Sequence, residues 1–203
     1  MKQVLLIQCS PIGSTSISRK LTDDFLVKYR QRNELARYIS RDLAAEPIPH
    51  LSEEFVKAMF VPPDKRTQNM KEALSLGLKL ANELQSSDDI IISAPMYNRT
   101  IPSSLKAWID HVVLPFETFR FGPNGQEGLL KGKTLYFIGA SGGVYSHGIQ
   151  MEIDFFAPYI RSIMGFMGIT DVRMIRAEGV AWDREKGIQL AEAEIDTALI
   201  GAE

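Results

Sequence analysis

The strongest constraint in this 203-residue chain is the alternation of short aliphatic runs with stretches of helical apolar spacing. Residues 3–8 (QVLLIQ), the Ile90-Ile91-Ile92-Ser93 run and residues 133–139 (KTLYFIG) are continuous apolar segments. Runs of that length read as strands buried on both faces. Residues 34–39 and 171–177 supply a second and a fifth strand. Between the runs, Leu21, Phe25, Leu26 and Tyr29 mark one amphipathic helix reaching about Arg32. Residues 67–84 form another, capped by Thr67 and apolar at Met70, Leu74, Leu78, Leu80 and Ala81. A third opens at Pro102, presents Leu105, Trp108, Ile109, Val112 and Val113, and stops at Pro115. Helical segments are also expected over 53–60, 152–164 and 183–199.

Strand and helix alternating throughout imply right-handed crossovers and a doubly wound parallel sheet. Five strands in this pattern predict a flavodoxin-like three-layer α/β/α fold with strand order 2-1-3-4-5. A length of 203 residues and the absence of a linker or repeat predict a single domain over 1–203. One segment departs from the alternation: residues 116–128 are rich in turns and carry Phe119, Phe121 and an Asn124-Gly125 hairpin signal.

In the order 2-1-3-4-5, strands 1, 3 and 4 are neighbours, and three unusual loops leave their carboxyl ends. Ligands of open α/β sheets bind there. Loop 9–18 holds hydroxyls at Ser10, Ser14, Thr15, Ser16 and Ser18, and Ser16, Ile17 and Ser18 open a helix. Unpaired N–H groups and the positive end of the helix dipole then face the loop and suit an anion. No lysine or arginine precedes Arg19, so a phosphate would be held mainly by neutral donors. Loop 94–101 delivers Met96, Tyr97 and Asn98, an apolar wall beside backbone amides that suits a flat ring. Loop 140–148 holds the Gly142-Gly143 pair, which lets backbone approach a ligand closely. Singly, the first loop reads equally as a cap and turn and the third as a plain turn. Together, a phosphate end, a flat middle and a polar edge describe a flavin mononucleotide site. No G-x-G-x-x-G pyrophosphate fingerprint occurs, so FMN rather than FAD is expected.

Several classes are disfavoured. The formal net charge of −2 leaves no footprint for nucleic acid or an anionic membrane, and no apolar run approaches the roughly 18 residues of a membrane span. Cys9, the only cysteine, fits a reducing compartment, and the Val4-Leu5-Leu6-Ile7 run is short for a signal-peptide core, so a cytoplasmic address is expected. His50, His111 and His147 are isolated from one another, and no metal is expected. Gly139-Ala140-Ser141-Gly142-Gly143 fits the G-x-S-x-G elbow of a serine hydrolase. A triad would need an acid and then a histidine after Ser141, yet no Asp or Glu lies between Ser141 and His147, and no histidine follows. A low-molecular-weight phosphatase would use Cys9 with an arginine six residues on, where Thr15 stands. A flavodoxin-type electron carrier remains the third alternative; such carriers are shorter and more acidic.

The residues also resemble a known family, the flavin-dependent NADH-azoreductases, which are also quinone reductases, over nearly the whole length. The resemblance rests on Ala94-Pro95-Met96-Tyr97-Asn98, Ile101-Pro102-Ser103 and Leu105-Lys106. It rests further on Arg41-Asp42-Leu43-Ala44, Asn124-Gly125, Glu127-Gly128-Leu129, Gly165-Phe166-Met167-Gly168-Ile169-Thr170-Asp171 and Glu178-Gly179. It implies a homodimer binding one FMN per subunit, with NADH (or NADPH) reducing the flavin and the flavin then reducing an azo, quinone or nitroaromatic acceptor. By position, Ser10, Ser16, Ile17 and Ser18 would hold the phosphate and ribityl chain. Pro95, Met96, Tyr97 and Asn98 would flank the isoalloxazine, Ala140, Ser141, Gly142 and Gly143 its pyrimidine end, and Phe119 and Phe121 the acceptor pocket. The chemistry would lie on the FMN, with no catalytic side chain. The chain departs from the family at Arg99, where an aromatic is common, and at Ala140-Ser141-Gly142-Gly143, where Ser-Arg-Gly-Gly is common. Arg99 stands at the mouth of the expected substrate pocket, facing either solvent or an anionic acceptor.

Overall fold

A computed structural model describes residues 1–123 and 125–200. Its central sheet has five parallel strands: β1 (Gln3–Gln8), β2 (Arg37–Asp42), β3 (Asp89–Pro95), β6 (Thr134–Ala140) and β7 (Asp171–Ala177). They lie in the order β2-β1-β3-β6-β7, which is the predicted 2-1-3-4-5 with a hairpin inserted in the chain between the third and fourth sheet strands. That hairpin pairs β4 (Phe119–Gly122) antiparallel to β5 (Gly125–Gly128). Gly125 has φ +102°, a left-handed conformation that glycine adopts freely; Asn124 of the expected turn lies outside the described residues.

Alternation along the strands divides the core in two. Leu5, Ile7, Ile90, Ile92, Leu135 and Phe137 face one side, where α3 (Gln68–Ser86), α4 (Ser103–Val112) and α5 (Ala157–Met167) cover them. Val4, Leu6, Ile91, Tyr136 and Ile138 face the other, under α1 (Ile17–Arg32) and α6 (Arg184–Ile200). Trp108 of α4 is fully buried against the first face, as its helical spacing with Leu105, Ile109 and Val112 predicts. Each such aliphatic side chain removed from water contributes about 1.5–3 kcal/mol, so the two faces supply most of the driving force. A short α2 (Glu53–Met59) packs on α3 through Phe55 and Ala58.

The elements differ from their sequence-predicted limits at several places. β2 is Arg37–Asp42 rather than 34–39, because the parallel register pairs Gln3 with Arg37 and Gln8 with Asp42, leaving Leu35 exposed. β3 includes Pro95, which lies opposite Ala140 as the last paired residue. Pro102 caps α4 instead of opening its first turn. The helix expected over 152–164 is a 3-10 turn at Gly148–Ile153 followed by α5. Pro158 in the first turn of α5 supports that later start, Asp154 accepts from the amides of Phe156 and Ala157, and Gly168 ends the helix at φ +102°.

The hairpin is placed by backbone contact. Gly128 lies so close to Gly168 that a Cβ on it would fall 2.2 Å from the Gly168 nitrogen, and the Leu130 amide donates to the Met167 carbonyl at 2.8 Å. Met167 and Gly168 end α5, which runs against the strands. The hairpin therefore sits at the amino-end pole of the sheet. Among the described residues no helix is long and apolar enough to cross a membrane.

Candidate functional site

At the opposite pole, the carboxyl ends of β1, β3 and β6 converge through backbone hydrogen bonds. The Cys9 amide donates to Ser93 O at 2.9 Å, the Met96 amide to Ala140 O at 2.7 Å, and the Ser141 amide to Ala177 O at 2.9 Å. These bonds bring the three loops of the sequence reading side by side.

In the first loop, Ser16 caps α1 and its Oγ accepts from the Arg19 amide at 3.4 Å. Its Oγ also lies 3.3 Å from that of Ser18, and Ser10, Ser16 and Ser18 are all buried. The amides of Gly13, Ser14, Thr15, Ile17 and Ser18 have no partner among the described residues. Buried hydroxyls and partnerless amides gathered at a helix N-terminus are what a phosphate requires. Arg19 does not enter this cradle. Its guanidinium donates to Ser10 O at 2.7 Å, to Gln8 Oε1 at 3.1 Å and to both Asp42 oxygens. It thus fastens the loop to the end of β2. Burial works to raise the Asp42 pKa, but the Arg19 hydrogen bond and the amides of Ala44 and Ala45 outweigh it and hold the carboxyl below its ordinary value. Arg184, at the start of α6, donates to Thr15 O at 3.1 Å, a cation beside the cradle that sequence inspection missed.

The second loop is a two-residue reverse turn. Tyr97 and Thr100 exchange two backbone hydrogen bonds of 3.0 Å, with Asn98 at φ +48° and Arg99 at φ +69° between them. Left-handed φ at both central positions is the geometry of a type I′ turn, usually built from Asn and Gly. Asn98 fits, while an arginine there carries strain. Arg99 is exposed, and its carbonyl accepts from the Phe155 amide at 3.1 Å. Tyr97, Asn98, Thr100, Ile101, Ser103, Lys106 and Tyr159 line a cavity of about 520 Å³ beside the turn. The cation lining it is Lys106, paired to Asp110, and not Arg99.

The third loop shows its polarity most clearly. The carbonyls of Ser141, Gly142 and Gly143 accept from the amides of Val180, Ala181 and Gly179 at 3.3, 3.3 and 3.0 Å. The amides of Gly142, Gly143 and Val144 have no partner among the described residues. A Cβ on Gly143 would lie 2.6 Å from Gln150 Oε1 and 3.0 Å from the Tyr145 ring, so both side chains press close on the loop backbone. Gln150 Oε1 is itself buried and without a hydrogen-bond partner, an acceptor at the edge of the loop. Free donors facing away from the β7 side, together with an orphaned acceptor, fit the polar pyrimidine end of a flavin.

The rival chemistries find no geometry. Ser141 Oγ donates to Gly143 O at 2.8 Å, and the hydrogen bonds of the histidine rings among the described residues join His147 to Ser146 Oγ and His111 to Ala107 O. Cys9 is buried, and that burial pushes its thiol pKa far up, the reverse of what a thiolate nucleophile needs.

Phe119 and Phe121 are not brought to the three loops. Both belong to the hairpin at the amino-end pole, where Phe119 is buried 4.7 Å from the Phe166 ring and Phe121 is 71% exposed. Ser10, Ser16, Ile17, Ser18, Pro95, Met96, Tyr97, Asn98, Ala140, Ser141, Gly142 and Gly143, by contrast, all lie on or beside the converging strand ends.

Comparison with known proteins agrees with this architecture. The family described as flavodoxin-like fold matches residues 2–199. An FMN-dependent NADH:quinone oxidoreductase of Herminiimonas arsenicoxydans is 43% identical over 199 residues, covering 98% of this chain and 97% of that protein. FMN-dependent NADH:quinone oxidoreductase 3 of Pseudomonas aeruginosa is 41% identical, over 98% of this chain and 93% of its own. An FMN-dependent NADH-azoreductase of Bacillus anthracis, solved in complex with FMN, superposes with a TM-score of 0.89 at 25% identity over the whole of both chains. With relatives above 40% identity along nearly its whole length, the chain belongs to the flavodoxin-like-fold family that includes the FMN-dependent NADH:quinone oxidoreductases.

Proposed function

We propose that this protein is an FMN-dependent NADH oxidoreductase that reduces quinones and azo compounds, working as a single flavin-binding domain within a cytoplasmic homodimer. The observation that carries the reading is the pair of donor surfaces at adjacent strand ends. Partnerless amides and buried hydroxyls lie in the first loop, and partnerless amides of Gly142, Gly143 and Val144 lie in the third. Relatives named for the same cofactor and reaction support it.

When bound, FMN supplies two-electron chemistry, accepting hydride from a nicotinamide and delivering it to the acceptor. The chain's own groups bind and orient. Ser10, Ser16, Ile17 and Ser18 hold the phosphate and ribityl end. Pro95, Met96, Tyr97 and Asn98 would flank the ring, and Ala140, Ser141, Gly142 and Gly143 would border its pyrimidine edge, with the partnerless amides of Gly142 and Gly143 as donors. No side-chain nucleophile is required. A cleft left open on one side would admit NADH (or NADPH) and the quinone, azo or nitroaromatic acceptor in turn, a ping-pong sequence. A homodimer accounts for the placement of Phe119 and Phe121: at the far pole of their own chain, they reach an acceptor pocket only in a second copy. Arg99 stands at the rim of the cleft.

The test is direct. Denaturation of the purified or reconstituted protein should release FMN. Initial rates of NADH oxidation at several quinone concentrations should give parallel double-reciprocal lines. Release of FAD, or no flavin after reconstitution, overturns the reading; intersecting lines overturn the shared face. Reduction by NADH without steady-state turnover of a quinone or azo dye would assign the protein to the electron carriers instead.

A further inference from the structure

A buried ion cluster lies outside the residues that line the proposed cleft. Arg176 of β7 directs Nη2 between two carboxylates, 3.0 Å from Asp154 Oδ2 and hydrogen-bonded to Glu178 Oε1. The side chains are 13%, 5% and 11% exposed, so the charges are largely withdrawn from water and strongly dependent on one another.

Each carboxylate grips the backbone of a different wall. Glu178 accepts from the amides of Tyr145 and Ser146 at 3.0 and 3.1 Å and from the Ser146 hydroxyl, fastening the segment that follows Gly142 and Gly143. Asp154 accepts from the amides of Phe156 and Ala157 at 2.9 and 3.2 Å. The intervening Phe155 is locked to the second loop: its amide donates to Arg99 O at 3.1 Å, and its carbonyl accepts from Thr100 Oγ1 at 3.0 Å. Arg176 is itself held in place where its own amide donates to Glu194 Oε2 at 2.7 Å.

We propose that Arg176 is a positioning residue that clamps the turn at Asn98-Arg99 and the loop at Gly142-Gly143 at a set spacing, so that the flavin cleft is shaped before any ligand enters. The clamp's bearing on FMN rests on the function proposed above; the coupling of the two loops does not. An arginine suits the task because a guanidinium offers donors in a fixed plane to two acceptors, whereas an ammonium is a single compact charge. Preformed walls spare the ligand the cost of ordering them.

The experiment compares wild type with Arg176→Met and Arg176→Lys, reading amide hydrogen exchange in the FMN-free protein and FMN affinity by quenching of flavin fluorescence. Arg176→Met should accelerate exchange at Tyr145 and Ser146 and at Phe155 together. It should raise the FMN dissociation constant about 10-fold or more, with Arg176→Lys intermediate. A further variant, Asp154→Asn with Arg176→Met and Glu178→Gln, leaves no unpaired buried carboxylate and serves if Arg176→Met alone does not fold. Faster exchange confined to Tyr145 and Ser146 overturns the clamp, as does an FMN dissociation constant within about 3-fold of wild type in a variant that has merely lost thermal stability. If wild type binds no FMN, the proposed function fails, while the exchange data still decide whether the two loops are coupled.

Discussion

Ser16 offers a perturbation with two separable consequences. In the FMN-free protein its Oγ caps α1 by accepting from the Arg19 amide at 3.4 Å, and it lies 3.3 Å from Ser18 Oγ. Both contacts are long, so removing the hydroxyl belongs at the low end of capping effects, about 0.5–1 kcal/mol. For a domain of this size, that lowers the melting temperature by about 1–4 °C. Toward a phosphate the same hydroxyl is worth more, because a hydrogen bond to a charged group contributes about 1.5–3 kcal/mol. Ser16→Ala should therefore raise the FMN dissociation constant by about 10- to 150-fold. Turnover at saturating FMN should be unchanged, since the phosphate end takes no part in hydride transfer. Calorimetry of the FMN-free protein and fluorescence titration of flavin separate the effects. A dissociation constant raised less than about 3-fold, alongside the expected loss of thermal stability, would show that Ser16 is a cap and nothing more.

Gly128→Ala should cost about 2–3 kcal/mol by urea denaturation, because its Cβ would collide with the backbone of Met167 and Gly168; a cost below about 0.5 kcal/mol would refute that contact. The Asp42 pKa is lowered in the fold, so the Arg19–Asp42 pair stabilises fully above the ordinary carboxylate range and loses its effect as pH falls through the depressed value. The stability gap between wild type and Arg19→Met should then be present at about pH 6 and narrow toward about pH 3; a constant gap would show that the pair's charge is irrelevant. Arg99→Phe should slow a carboxylated azo dye about 2- to 5-fold more than a neutral quinone, a modest effect because Arg99 is exposed, and equal changes would show that it does not read charge.

The residue order by itself determined whatever depends on near neighbours. An aliphatic run placed β1 at its observed limits, since a strand buried on both faces leaves an unbroken apolar signature. Helical spacing around Trp108 identified the buried face of α4, and the Thr67 cap located the start of α3. Five strands alternating with helices also pointed to the flavodoxin-like strand order, and with it the convergence of the three loops. Tertiary structure decided the rest, for a common reason: the deciding contacts join residues far apart in sequence. β2 slid three residues from its apolar run because its register is set by pairing with β1. Phe119 and Phe121 went to the far pole because Gly128 packs on Gly168. Arg184 reaches Thr15 across 169 positions, and Arg176 joins Asp154 to Glu178 across the ends of α5 and β7. No local pattern marks such partners, because an arginine in an alternating strand reads the same whether it meets solvent or two buried carboxylates, and only the folded chain supplies the carboxylates.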